Sequence, residues 1–150
     1  MAAPANKWEF AYDLYGNRTP IKTTLKATAN METKVGTLLG AGTARATVAG
    51  NSFTSCLGLA AEATDGSTDK AADDPIEVYI LAPGMVIKGT ADADATALAG
   101  FSHKRVDFNA DGTLDVGDTT GGCATVHKIG SVNTEVYVMF TSFAHGPSER

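Results

Sequence analysis

Residues 75–89, PIEVYILAPGMVIKG, carry the pattern that decides the fold. The apolar side chains at 76, 78 and 80 fall on one face of an extended strand, because successive strand residues point to opposite faces. Pro83 restricts φ and Gly84 permits positive φ, a combination that suits a tight turn, and an apolar run returns at 85–87. The stretch predicts two antiparallel strands joined as a hairpin.

The alternating pattern recurs near the N-terminus. In residues 8–15, WEFAYDLY, every second side chain is large and apolar, which predicts a half-buried strand. GNRTP at 16–20 has turn composition, and the Thr-rich segment 21–27 alternates again. We therefore expect a second antiparallel hairpin here.

Three further segments have the composition of strands. The glycine-rich residues 35–50 interrupt any helical stripe and predict a short strand, a turn and another short strand. Residues 53–63 contain both helix and strand formers, and the interpretation favoured is a strand. Residues 134–143 are apolar on both faces, which predicts a strand in the centre of the fold or beneath a partner subunit.

One short helix is predicted near 92–100. An aspartate precedes a run of helix formers and Gly100 follows it, as expected for an N-cap and a C-terminal glycine. With strands predicted elsewhere, the fold class is all-β and mainly antiparallel, a small β-barrel or sandwich with this one helix.

The chain length is that of a single domain. At 150 residues the chain can bury one substantial core. The predicted organisation is a flexible N-terminal arm at 1–7, a single β-rich domain at 8–145 and a frayed tail at 146–150.

The charge and hydropathy patterns bear on partners and location. A net charge of −5 and a pI of about 5.0 argue against a nucleic-acid-binding surface. No apolar run reaches the roughly 18 residues of a membrane span, and the N-terminus lacks a basic-then-apolar signal layout. We expect a soluble protein that does not use the general export route and contacts neither membrane nor nucleic acid.

The usual catalytic motifs are missing from the sequence. It contains no GxSxG, HExxH or CxxC, and its three histidines are separated from one another. The glycines of GTLLGAG (36–42) lack the Lys-Ser/Thr of a phosphate-binding loop. Cys56 and Cys123 are interpreted as small buried hydrophobic residues in preference to a disulfide or a reactive thiol. The expectation is a protein that is not an enzyme and has no cofactor.

Residues 107–118, DFNADGTLDVGD, match the spacing of a calcium loop of about twelve residues. Aspartate or asparagine occupies the first, third, fifth, ninth and twelfth positions, and glycine the sixth, as in the loops of dockerin-type repeats. The helix that follows such loops is not predicted here, because Gly121, Gly122 and β-branched residues come next. An Asp-rich hairpin tip between two short strands is the favoured interpretation, so no metal ligand is assigned, and a calcium site is the alternative.

Several stretches together resemble the capsid decoration proteins of tailed bacteriophages, also called head-stabilising or cement proteins. The resemblance spans nearly the whole chain and is one of texture, without a catalytic signature. It is carried by WEFAYDLYGNRTPIKTTL, VGTLLGAG, IEVYILAPGMVIKGTADADATALAGF, DGTLDVGDTTGGCATVHKIG and TEVYVMF.

The resemblance implies a non-enzymatic virion protein, made in the host cytoplasm and bound to the outer surface of the capsid. Such a protein clamps neighbouring major capsid subunits, often as a homo-oligomer, either a trimer or a dimer. Because aromatic residues lie beside a loose terminus, we expect the contacts between subunits to involve Trp8, Phe10, Tyr12 and Leu14. The alternative is a calcium-dependent adhesion or assembly module that uses the loop at 107–118.

Overall fold

The structure, a computed structural model, describes residues 4–41, 46–48, 56–65, 70–100 and 104–141. Its regular elements are almost all strands, which confirms the all-β class. They are β1 (Glu9–Asp13), β2 (Ile21–Lys26), β3 (Leu38–Ala41), β4 (Ala46–Val48), β5 (Cys56–Ala60), β6 (Pro75–Ile80), β7 (Met85–Thr90), β8 (Asp107–Phe108), β9 (Leu114–Asp115), β10 (Ala124–Ile129) and β11 (Glu135–Phe140).

Two antiparallel sheets form the body of the fold. The first, sheet A, has the order β1-β7-β11-β10, and the second, sheet B, has the order β2-β6-β5-β3-β4. β8 and β9 form a separate two-stranded ribbon. The sheets do not close into a barrel, so of the two predicted architectures the sandwich is the one observed. β11 lies inside sheet A between β7 and β10, as its two apolar faces predicted for a central strand.

Residues 75–89 form two strands, as the sequence predicts, but the prediction that these strands pair as a hairpin is wrong. β6 belongs to sheet B and β7 to sheet A, so the chain crosses between sheets at Pro83 and Gly84. The tight turn itself is present, because the Met85 amide donates to the Ala82 carbonyl at 3.1 Å and Gly84 has a φ of 93°. The alternating pattern and the turn residues predict that the chain reverses direction. They do not predict which sheet the second strand joins.

The predicted N-terminal hairpin is wrong in the same way. β1 pairs with β7 and β2 pairs with β6, so the connection between β1 and β2 also crosses the sandwich. The two crossings are joined, since Arg18 bonds both oxygens of Asp13 at 2.7 and 2.9 Å and donates to the Pro83 carbonyl at 2.7 Å. We call Asp13, Arg18 and Pro83 the corner clasp.

Buried side chains form two clusters. The larger lies between the sheets and includes Trp8, Phe108 and Phe140. The smaller contains Ile76 and Val78, which alternate along β6 with Tyr79, a residue that packs on the larger cluster. Sheet B is therefore apolar on both faces, and the connection after β2 covers its outer face.

The predicted helix is reduced to one 3-10 turn, Thr96–Leu98. Asp94 accepts hydrogen bonds from the amide and hydroxyl of Thr96 at 2.9 and 2.6 Å, so an aspartate orders the start of the turn. Gly100 has a φ of 79°, in keeping with its predicted place after the helix. The turn ends at Leu98 because Ala99 is extended, with a ψ of 155°, and the Gly100 amide donates to the His127 carbonyl at 2.9 Å.

The described part of the predicted arm follows a defined path. Pro4 is buried, and both the amide and the side chain of Asn6 donate to the Asp111 carbonyl, at 3.0 and 2.9 Å. Asn6 therefore attaches the described part of this segment to the domain by hydrogen bonds. The predicted tail at 146–150 lies outside the described residues.

Candidate binding surface

The Trp8 ring packs in the core of the fold. Its side chain is 2% exposed and meets Phe108 edge to face, with ring centroids 5.5 Å apart. The indole nitrogen donates to the Gly112 carbonyl at 2.7 Å, and a Cβ at Gly89 would overlap the ring. Trp8 is one of the four residues expected at a subunit contact. In the structure, its side chain connects the start of β1 to β7 and to the turn after β8.

Phe10 lines an open groove at the end of the sandwich where β1 begins and β7 ends. The groove encloses about 820 Å³ and receives residues from both sheets. Tyr79 contributes from sheet B, while Val35 and Val132, 54% and 58% exposed, come from loops. We call this the β1 groove. Its apolar lining and open mouth are typical of a surface that accepts a partner.

Charged side chains border the β1 groove. The Lys88 ammonium lies 3.9 Å from a Glu9 carboxylate oxygen and 3.8 Å from one of Glu135. All three residues are partly exposed, so these contacts are weak and can be exchanged for contacts with a partner. The groove thus has the apolar centre and polar rim found in protein interfaces.

Tyr12 faces the other way, onto the outer surface of sheet A. A β-bulge between Phe10 and Tyr12 reverses the alternation, which places these two side chains on opposite faces. Tyr12 stacks on Tyr137 at 5.9 Å, and the Lys128 ammonium lies 5.3 and 4.8 Å from their two ring centroids. The Tyr12 hydroxyl and the His127 Nδ1 are 2.6 Å apart.

Burial governs the protonation of this outer cluster. It raises the pKa of the Tyr12 phenol, helped by Tyr137, and lowers the pKa of the His127 imidazole, helped by the Lys128 charge. Both shifts favour the neutral forms of the two side chains. The cluster therefore presents one cation, Lys128, above two aromatic rings.

Leu14 is 38% exposed at the corner that follows β1, next to Tyr15 at 72%. Tyr15 packs over Gly84, in the other sheet crossing. These two side chains and the β1 groove border the same strand. Of the predicted contact residues, Phe10 therefore lies in the β1 groove, Tyr12 on the outer face of sheet A, and Leu14 beyond the end of β1 opposite the groove.

The flank of the sandwich beside β1 also carries two strand edges. β1 and β2 each pair with one strand in the described chain, and the sheet crossings set the two edges on the same flank of the sandwich. β2 is exposed along most of its length, with Ile21 at 70%. Lys22 and Lys26 on β2, together with the bulge in β1, oppose unspecific pairing with other chains.

The run at 107–118 forms the predicted hairpin tip. Asp107 pairs with Asp115 and Phe108 with Leu114, and Gly112 takes a φ of 87° in the turn. This confirms the predicted hairpin at these residues.

Side chains of the loop make hydrogen bonds within the turn and with Asp92. Asp111 accepts from the amide and hydroxyl of Thr113 at 2.9 and 2.6 Å, while the Asn109 amide group donates to Asp92 at 2.9 Å. Burial, followed by the charge of Asp118, raises the pKa of Asp107. Within the described residues, no group of three or more His, Cys, Asp or Glu side chains is arranged to hold a metal ion.

No protein-family model matches the chain, and a search of curated proteins also gave no match. In the parts of the chain that the structure describes, no helix is long and apolar enough to cross a membrane.

Sequence reasoning found the strand that borders the β1 groove and missed most of the groove. Tyr79, Lys88 and Glu135 come from distant segments, and only the crossing of the sheets brings them together. Val35 and Val132 gave one usable signal, since each is an apolar residue inside a segment of turn composition.

Proposed function

We propose that this chain is a non-enzymatic virion structural protein. It binds the outer surface of a tailed-phage capsid and stabilises the shell by clamping neighbouring major capsid subunits. The resemblance of the sequence suggests the capsid as partner, and the structure contributes a surface suited to such binding. The observation that carries the proposal is the β1 groove beside two strand edges on one flank.

The flank has the properties that a clamp requires. Exposed Val35 and Val132 supply apolar area that a partner can bury, and partly exposed charges surround it. A single copy with a groove of this size would bind weakly. A capsid repeats its sites by symmetry, and a dimer or trimer of this chain would engage several at once, so weak contacts add to tight binding.

The test is co-sedimentation of the purified chain with expanded tailed-phage heads. Removing residues 1–12 would be a poor test because it deletes Trp8 and most of β1, which the fold needs. The double variant Val35→Glu, Val132→Glu places two charges in the β1 groove at positions already exposed. Burying an unpaired charge is costly, so we expect at least a roughly tenfold loss of affinity.

Thr120→Glu is the matched control, since Thr120 is exposed and does not line the groove. Wild type and Thr120→Glu should sediment equally with heads, while the double variant stays in the supernatant. Equal binding of all three would reject the groove as the contact. Absence of wild-type binding to any heads would reject the proposed function.

A further inference from the structure

Two cysteines distant in sequence meet in the core. Cys56 begins β5 in sheet B, and Cys123 immediately precedes β10 in sheet A. Their sulfur atoms are 2.7 Å apart, and both residues are 0% exposed. Both are free thiols in this structure.

The distance between the sulfur atoms is too short for ordinary packing. Non-bonded carbon atoms in cores approach to about 3.5–4.0 Å, and a disulfide bond is about 2.05 Å long. The two thiols therefore need only a small approach to become bonded. Cys56 begins a strand of sheet B and Cys123 precedes a strand of sheet A. The bond between them can therefore form without a change in strand pairing.

From this geometry we propose that Cys56 and Cys123 are the site of a disulfide that joins the two sheets. The inference does not depend on the proposed function. Both residues are buried free thiols, in keeping with their interpretation as small buried residues, and the proposal adds that the two sulfur atoms can be joined.

The bond forms by exchange with a small-molecule disulfide, R–S–S–R. One cysteine thiolate attacks a sulfur of R–S–S–R, which forms a mixed disulfide and releases R–S⁻. The second thiolate attacks the protein sulfur of that mixed disulfide, so the Cys56–Cys123 bond forms and a second R–S⁻ leaves. Both R–S⁻ groups take up the protons lost by the cysteines, and two R–SH are produced as the two cysteines are oxidised.

Burial decides when the exchange takes place. It raises the pKa of the Cys56 thiol well above its ordinary value, helped by Cys123, so the attacking thiolate is scarce in the folded protein. Both residues are also inaccessible to R–S–S–R. The disulfide should therefore form during folding, when the cysteines are exposed, and resist reduction afterwards.

The experiment refolds the full chain from denaturant with glutathione disulfide, and separately with reduced glutathione. Each sample is then denatured without reductant, alkylated and weighed by mass spectrometry. We expect the oxidised sample to take up no alkyl group and to yield one linked peptide containing Cys56 and Cys123. Because the bond closes a loop between residues 67 apart in sequence, oxidised protein should melt on the order of 10 °C higher than reduced protein.

The variant Cys123→Ala is the control, because it keeps one thiol and cannot close the bond. Its melting temperature should be the same after either refolding. If Cys123→Ala does not fold, the comparison of oxidised and reduced wild type is sufficient. Two alkylated cysteines, or two glutathione adducts, in the oxidised wild type would overturn the proposal, as would equal melting temperatures of linked and reduced protein.

Discussion

Trp8 shows how one residue fixes the relation between distant parts of the chain. Its ring packs against Phe108, and its indole nitrogen donates to the Gly112 carbonyl. The sequence predicted a strand around Trp8 because of the alternating pattern. It could not predict a core position, because an aromatic residue beside a loose terminus fits a subunit contact equally well. Only the packing of the sheets distinguishes the two.

Gly89→Ala tests this packing. The added Cβ would overlap the Trp8 ring, whose large neighbours leave it little room to move. We expect the substitution to lower the free energy of unfolding by about 1–3 kcal/mol, as overpacking of a core does. Chemical denaturation followed by Trp fluorescence measures the change.

Gly117→Ala serves as the matched control. A Cβ at Gly117 meets only an Asp115 oxygen at 3.5 Å, an ordinary contact, and Gly117 is exposed. Its stability should stay within about 0.5 kcal/mol of wild type. If the two variants were equally stable, Trp8 would not be packed against Gly89 as described.

At the scale of elements, the sequence predicted strands better than it predicted their partners. Both β6 and β7 begin within residues 75–89, where alternation and the Pro-Gly turn predicted two strands. Their assignment to different sheets depends on pairing with β2 and β1, which lie far away in the sequence. Period-two patterns are local, whereas sheet membership is not, so both predicted hairpins failed for the same reason.

The stability that the corner clasp contributes should depend on pH. Hydrogen bonds from Arg18 hold the pKa of Asp13 well below its ordinary value of 3.8. A carboxyl group with a lower pKa in the folded state adds stability above its unfolded pKa, and this is lost as pH falls through the folded pKa. Asp13→Asn should therefore melt below wild type at pH 7, and the difference should shrink below about pH 4.

Glu9→Gln is the control for the clasp, because Glu9 is 72% exposed and its contact with Lys88 is 3.9 Å long. Thermal melts of the three proteins from pH 7 to pH 2 give the comparison. A gap between wild type and Asp13→Asn that stays constant over this range would show that ionised Asp13 does not hold the corner.

The hairpin at 107–118 should not bind calcium. Asp111 Oδ1 already accepts two hydrogen bonds from Thr113, and the Asn109 side-chain nitrogen donates to Asp92. In the described residues that follow the loop, no helix supplies the remaining ligand. Titration calorimetry with calcium chloride should give no binding heat, and chelator should leave the melting temperature unchanged. Asp111→Ala should still destabilise the protein by about 1 kcal/mol, because the Thr113 amide loses its partner. Calcium-dependent stabilisation would instead favour the adhesion or assembly module.

At the scale of the whole molecule, two sheet crossings create the surface on which the proposed function rests. They place the edges of β1 and β2 on one flank, beside a groove whose lining comes from seven separate stretches of the chain. From the sequence we could predict that β1 would matter and that a β domain would form. The groove could not be predicted, because its residues are neighbours only once both sheets are packed.

The central claim is that this flank binds a capsid, and electron microscopy of tailed-phage heads incubated with the chain tests it most directly. We expect density at symmetry-related positions on the outer surface, with β1 and the β1 groove toward the shell. The Val35→Glu, Val132→Glu variant should leave the same heads bare. Bare heads with wild type, or bound copies whose β1 flank faces solvent, would contradict it.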